Sequence, residues 1–342
     1  MDVAEAVATI MPPDEVATLL GLSAHSVALK TTLAARMQQI VNDGGELVSG
    51  SVDVLACGSL ARQEHSAASD IDYLIITNNL PKHFSALRDV GHEVNRVITE
   101  LDAEPGASGI FGQTVGAFDL IERVGLQDDT NISHTRRMEI LLESVSLTTS
   151  GIRSEVVRAI VDRYSTSRNL ERPPRFLIND VLRYWRTITV DFQAKRDSSH
   201  DQHKMILRYL KLRITRKILL ASSVLPLITF TPACPTRDHY VDELEKLFDQ
   251  PALCRLIGTV DRLGDSSLTE HARTVCRVLD GFLAASSSKA QRERFDKIAW
   301  DDRGNHAEFV DLSDSADRLD AALAAIFTSS NVLEATKSYM LF

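Results

Sequence analysis

Apolar positions recur along most of this chain at the three- and four-residue spacing of helices, with one stretch that breaks the rhythm. Pro12-Pro13-Asp14-Glu15 has the proline and acids of a helix start. The run from Ser23 to Val41 carries Leu29, Leu33, Met37 and Ile40 on one face, and Asn42-Asp43-Gly44-Gly45 stops it. The rhythm changes at Val52-Asp53-Val54-Leu55-Ala56-Cys57, a short β-prone run that ends at Gly58-Ser59. Ile71-Asp72-Tyr73-Leu74-Ile75-Ile76-Thr77 predicts a second strand, closed by Asn78-Asn79-Leu80-Pro81. Helical spacing returns from Phe84 to Leu101. The Gly-rich stretch from Glu104 to Phe118 offers Ile110-Phe111 and Thr114-Val115 as a further short strand, and helices are expected at Asp119–Val124 and Thr135–Val145.

Arg172-Pro173-Pro174-Arg175 disfavours helix and marks a boundary; beyond it nearly every segment reads helical. The pattern therefore predicts an α/β N-terminal domain, a small mixed sheet with helices over residues 1–150, followed by an all-α C-terminal domain over 151–342.

Composition narrows the function classes. With 342 residues, 44% of them hydrophobic, the chain can bury two cores. A net charge of −9 argues against non-specific coating of duplex nucleic acid, which runs on displaced counterions. The four cysteines, Cys57, Cys234, Cys254 and Cys276, show no C-x-x-C pairing, so neither a zinc ribbon nor a redox dithiol is signalled. The start Met1-Asp2-Val3-Ala4-Glu5 lacks the basic opening of a signal peptide. The longest uncharged stretch, Ile218 to Thr236, is interrupted by three prolines. The expectation is a cytoplasmic protein without a membrane span. No Walker-type phosphate loop, G-x-G-x-x-G or G-x-S-x-G elbow occurs.

The candidate chemistry lies where the strands meet. Gly58-Ser59 is followed, after a spacer of ten residues, by Asp70-Ile71-Asp72. Residues i and i+2 of a strand share a face, so two carboxylates stand side by side with Ile71 turned to the core. At ~6 Å and an effective dielectric near 20, such anions repel by about 3 kcal/mol. A hard divalent cation with oxygen ligands is the natural partner. A strand ending in Gly-Ser lets backbone approach a phosphate closely, and Arg62, one turn on, would add a phosphate contact.

The string Gly58-Ser59-Leu60-Ala61-Arg62-Gln63-Glu64 with Ser69-Asp70-Ile71-Asp72-Tyr73 resembles the signature of the DNA polymerase β-like nucleotidyltransferase superfamily. It is similar to the nucleotidyltransferase domains of protein-modifying uridylyltransferases and to minimal nucleotidyltransferases of toxin–antitoxin pairs. The motif spans residues 52–77, and the α/β context extends it to about 118. The resemblance implies that Gly58, Ser59 and Ser69 lie at the triphosphate and that Asp70 and Asp72 bind Mg2+. It implies transfer of a nucleoside monophosphate from an NTP to a hydroxyl acceptor (protein, RNA or small molecule) with release of pyrophosphate. Active members carry a third carboxylate on a later strand. Asp102, Glu104 and Asp119 are the candidates here, and none sits in a clear strand pattern; Asp119 reads as the acidic opening of a helix.

The window 181–220 holds ten basic residues against three acidic ones, a local contrast that suits phosphate. Lys195 and Lys211 are candidates for the triphosphate, and Tyr184, Trp185 or Tyr209 for stacking on a base; a solvated face with an apolar packing stripe fits the same spacing. Arg136, Arg137 and Glu143 are open between function and an inter-domain ion pair. His200 and His203 lie in a polar stretch, and Arg196 with His203 has the spacing of a HEPN-type ribonuclease pair, a pattern too short to carry weight. Two further roles remain open: a nucleotide-sensing module without effective catalysis, and a partner-binding component of a toxin–antitoxin or phage-defence pair.

Overall fold

A computed structural model of the chain describes residues 2–78, 84–101, 103–106, 111–165, 170–197, 204–231 and 236–341. The first elements are helix α1 (Val3–Ala8), a 3-10 turn (Pro13–Val16), the long helix α2 (Ala17–Asp43) and α3 (Glu46–Ser49). Strand β1 (Val52–Cys57), the single turn α4 (Gly58–Ala61), strand β2 (Tyr73–Thr77) and helix α5 (Phe84–Glu100) follow. Next come β3 (Thr114–Gly116), α6 (Ala117–Ile121), α7 (Asn131–Glu143), β4 (Ser144–Ser146) and α8 (Ile152–Tyr164). The rest is helical: α9 (Arg175–Asp197), α10 (Met205–Lys211), α11 (Lys217–Ile228), α12 (Arg237–Phe248), α13 (Ala252–Leu263), α14 (Ser266–Ser286), α15 (Lys289–Asp296), α16 (Ala307–Phe327) and α17 (Leu333–Thr336).

The protein is thus mostly helical with one small mixed sheet. Its contacts group into two units. One comprises residues 23–172 and 232–251 and contains the sheet; the other comprises 1–22, 173–231 and 252–342, and its described elements are helical. Residues 151–172 and 232–251 group with the sheet, and the first 22 residues with the helical unit, where the sequence pattern suggested a single boundary after 150. One reason is ionic: Arg158 on α8 pairs with Asp242 and Glu245 on α12, tying that distant helix to the sheet unit.

The sheet has the order β3-β2-β1-β4. β1 is antiparallel to β2, with Val52 opposite Thr77 and Ala56 opposite Tyr73, and antiparallel to β4. β3 runs parallel to β2. All six residues of β1 are buried, as a strand covered on both faces must be. Val52, Val54, Ala56, Tyr73 and Ile75 share one core with Leu33, Met37 and Val41 of α2 and Val90, Val94, Val97 and Ile98 of α5. Strand alternation sends Asp53, Leu55, Cys57, Leu74 and Ile76 to the opposite face.

Asp53 is fully buried there, and its carboxylate is satisfied by Ser146 Oγ and Thr148 Oγ1, each at 2.6 Å, and by the amide of Arg153 at 3.0 Å. β4 is a departure from the sequence expectation of helix through Val145. The helix ends at Glu143, and Ser144–Ser146 pairs with β1, because β1 offers a free edge that the periodicity of α7 could not reveal.

The helical stretch Pro13–Asp43 is long and apolar enough, by length and composition alone, to cross a membrane. Its residues Leu33, Met37 and Val41 are buried in the sheet core, while 28% of its most apolar window is buried in all.

Candidate functional site

The site is built at the end of β1 and the start of β2. Cys57 closes β1, and Gly58 turns the chain with φ +64°, a left-handed conformation that favours glycine. The single turn α4 follows. Its carbonyls are taken up locally: the Arg62 amide donates to Gly58 O at 3.0 Å and the Glu64 amide to Ser59 O at 2.8 Å. On the partner strand the Cys57 amide donates to Asp72 O at 2.8 Å, so the Gly-Ser turn and the Asp-x-Asp segment are joined by backbone.

Asp70 is exposed and Asp72 half-buried, while Ile71 between them is 1% exposed. That is the alternation expected of two carboxylates on one face and an apolar anchor on the other. The Asp72 carboxylate lies between two glycines: a Cβ on Gly58 would stand 2.9 Å from its Oδ2, and a Cβ on Gly106 would overlap its Oδ1. Ser69 sits in a tight turn ahead of the pair, its amide donating to Ser66 O at 2.8 Å and its hydroxyl 3.1 Å from Ser66 Oγ.

Of the candidates for a third carboxylate, Glu104 is the one that the backbone brings level with Asp70. Ile71 makes a parallel bridge with Pro105: its amide donates to Glu104 O at 2.9 Å, and Gly106 N–H donates to Ile71 O at 3.0 Å. In that register Glu104 stands beside Asp70, and Gly106 beside Asp72, on the same face. Glu104 is exposed. Asp119 lies in the first turn of α6, as its acidic opening suggested; Asp102 lies outside the described residues.

Arg62 occupies an inward position. It is 7% exposed, its Nε bonds Glu64 at 2.9 Å, and its guanidinium also pairs with Glu143 of α7. The arginine expected at phosphate is therefore engaged by two buried carboxylates that clamp the turn after Gly-Ser to α7. The same turn is strapped to α2, where Ser23 Oγ donates to Gln63 Oε1 at 2.9 Å and the His65 amide donates to Ser26 Oγ at 3.1 Å. Gln63 itself has φ +61°, a strained conformation for a residue with a side chain.

Arg137 is fully buried and makes two bonds to Asp129, at 3.1 and 2.7 Å, with a third to Tyr164 Oη at 3.1 Å. Arg137 pairs with Asp129, and Glu143 with Arg62, in both cases within the sheet unit. Burial lowers the pKa of Arg136, with Glu139 acting against it. Burial raises the Cys57 thiol well above its ordinary value, and the carboxylates of Glu139, Asp72 and Glu143 push it further, so the residue before the Gly-Ser turn faces negative potential and stays protonated.

The remaining expected residues belong to the helical unit. Lys195 is exposed on α9 and paired with Asp191 at 2.7 Å, and Lys211 is exposed at the end of α10. Tyr184 is buried, and Tyr209 packs among Trp300, Phe192 and Phe309 with ring centroids 5.3 to 6.2 Å away. Part of the basic window is neutralised by α16, where Asp317 and Asp320 hold Arg213 and Asp320 also holds Lys217. His200 and His203 lie outside the described residues.

The donor set fits a hard cation. Asp70, Asp72 and Ser59 offer oxygen only, and Mg2+ is commonly held by one or two carboxylates and the substrate's own phosphates rather than by an all-protein cage. Among the described residues no group of three His, Cys, Asp or Glu side chains gathers closely enough to hold a metal alone. No family model matches the chain, and no curated protein matches it.

Proposed function

We propose that the chain is a magnesium-dependent nucleotidyltransferase whose site is the Gly58-Ser59 turn with Asp70 and Asp72. The observation that carries the reading is the slot that lodges the Asp72 carboxylate between Gly58 and Gly106, two residues from exposed Asp70 on the same face.

In this reading Asp70 and Asp72 hold Mg2+, which when bound neutralises phosphate charge and stabilises the attacking and leaving oxygens. The Gly58-Ser59 turn receives the triphosphate, with the Ser59 hydroxyl as donor. An acceptor hydroxyl oxygen bonds to the α-phosphorus, the bond from that phosphorus to the bridging oxygen breaks, and pyrophosphate leaves. The hydroxyl proton passes to a carboxylate, for which Glu104 beside Asp70 is the candidate base. Arg62, Glu64 and Glu143 hold the turn rigid, as catalytic geometry requires.

The test is pyrophosphate release from each of the four NTPs with magnesium, with bulk RNA and cell lysate as acceptors. Release that vanishes in the Asp70→Ala, Asp72→Ala double variant supports the proposal. Measurable NTP binding without release, for every NTP and acceptor, replaces it by the nucleotide-sensing module.

A further inference from the structure

Gly106 is not explained by backbone conformation, since its φ lies outside the left-handed region that six other described glycines occupy. Space explains it. A Cβ at this position would overlap Asp72 Oδ1 and stand 3.0 Å from Asp72 Cγ and 3.2 Å from its Cα. Neither side can easily yield. The strand bearing Gly106 is bonded to Ile71 through both Gly106 N–H and Glu104 O, at 3.0 and 2.9 Å, and Ile71 is anchored in the sheet core.

Pro105 suits this arrangement. In a parallel bridge the bonds to Ile71 come from the residues on either side of it, so the N–H that proline lacks is not needed, and its fixed φ stiffens the strand. On the other side, Gly58 leaves 2.9 Å between its absent Cβ and Asp72 Oδ2. The carboxylate has backbone on both flanks.

We propose that Gly106 is a positioning residue: by lacking a side chain it lets the Glu104–Gly106 strand close against Asp72 and fix that carboxylate for a divalent cation. What the carboxylate is fixed for rests on the function proposed above; the steric coupling of Gly106 to Asp72 does not.

The two parts are separated by one experiment on the full chain. Mn2+ alone is titrated into the wild type, Gly106→Ala, Asp72→Ala and the double variant, and the thermal melt of each is recorded without metal. The expected result is Mn2+ binding by the wild type, its loss in Asp72→Ala, and a fall of about 10- to 100-fold in Gly106→Ala, the range seen when groups supporting a metal ligand are changed. Gly106→Ala should also lower the melting temperature clearly in the wild-type background and much less in Asp72→Ala, where the overlapping carboxylate is gone. Equal shifts in both backgrounds together with unchanged Mn2+ affinity overturn the proposal.

A wild type that binds no Mn2+, with the melting shifts still coupled, keeps the slot and rejects the cation. If Gly106→Ala does not fold, the double variant decides: recovery of a cooperative melt supports the coupling, and failure to recover overturns it.

Discussion

Replacing Arg62 by alanine is the sharpest way to test how the Gly-Ser turn is held. The guanidinium is 7% exposed and lies between Glu64, 5% exposed, and Glu143, 3% exposed. Alanine removes the guanidinium from both buried carboxylates. Breaking a buried pair in this way costs about 3–5 kcal/mol, a large share of the roughly 5–15 kcal/mol that stabilises a folded domain. Lysine keeps the charge but not the fork that reaches two carboxylates, so Arg62→Lys should lose about 1.5–3 kcal/mol, the worth of one charged hydrogen bond. Arg62→Met combined with Glu64→Leu and Glu143→Leu removes all three charges and should recover most of the loss.

Urea unfolding followed by far-UV circular dichroism at pH 7 reads these differences. A loss below about 1 kcal/mol for Arg62→Ala, within reach of an ordinary surface substitution, would refute the reasoning. Normal stability with weakened NTP binding would return Arg62 to the phosphate.

Other consequences follow from the same geometry. Asp72→Glu forces a longer side chain into a slot walled by Gly58 and Gly106 and should cost about 100-fold or more in nucleotidyl transfer, as a misplacement of an ångström does. Asp70→Glu at an exposed position should cost far less; steady-state kinetics of the two variants checks the asymmetry. Glu104→Gln should reduce kcat with little effect on NTP affinity, as steady-state kinetics against NTP concentration would show. Cys254 and Cys276 are pushed up to about 12 by burial, and Cys57 is also raised. Peptide mapping after iodoacetamide at pH 8 should therefore find these three unmodified unless the protein is unfolded. Since unfolded thiols lose their protons near pH 9 while Cys254 and Cys276 keep theirs to about 12, stability should fall as pH rises through that window, as urea midpoints at pH 8, 9 and 10 would record.

Much of the sheet was legible in the sequence because its strands are short, β-branched and bounded by Gly, Asn and Pro. β1 coincides with the expected Val52–Cys57, and α5 ends one residue before the expected Leu101. The second strand begins later than expected, at Tyr73: Ile71 makes an isolated bridge to Pro105, and Asp72 O accepts a bond from the Cys57 amide. Periodicity could not find β4 or the neighbourhood of Glu104, since a three-residue strand has no period and a bridge to Pro105 depends on the partner strand alone.

The placement of Arg62 was hidden for a related reason. An arginine one turn after Gly-Ser looks alike in sequence whether it meets a phosphate or Glu143, 81 residues away. Gly106 left one trace, its membership of a Gly-rich stretch; the need for a missing Cβ arises only when Asp72 is brought against it.

The measurement that tests nucleotidyl transfer most directly is the fate of label from the four NTPs, supplied in turn with 32P at the α- or the γ-phosphate, in the presence of magnesium and lysate. Stable α-label on an acceptor, no γ-label on it, and loss of both signals in the Asp70→Ala, Asp72→Ala variant are the predicted results. Transfer of γ-label, or α-label transfer that survives the double variant, would contradict the assignment of the chemistry to this site.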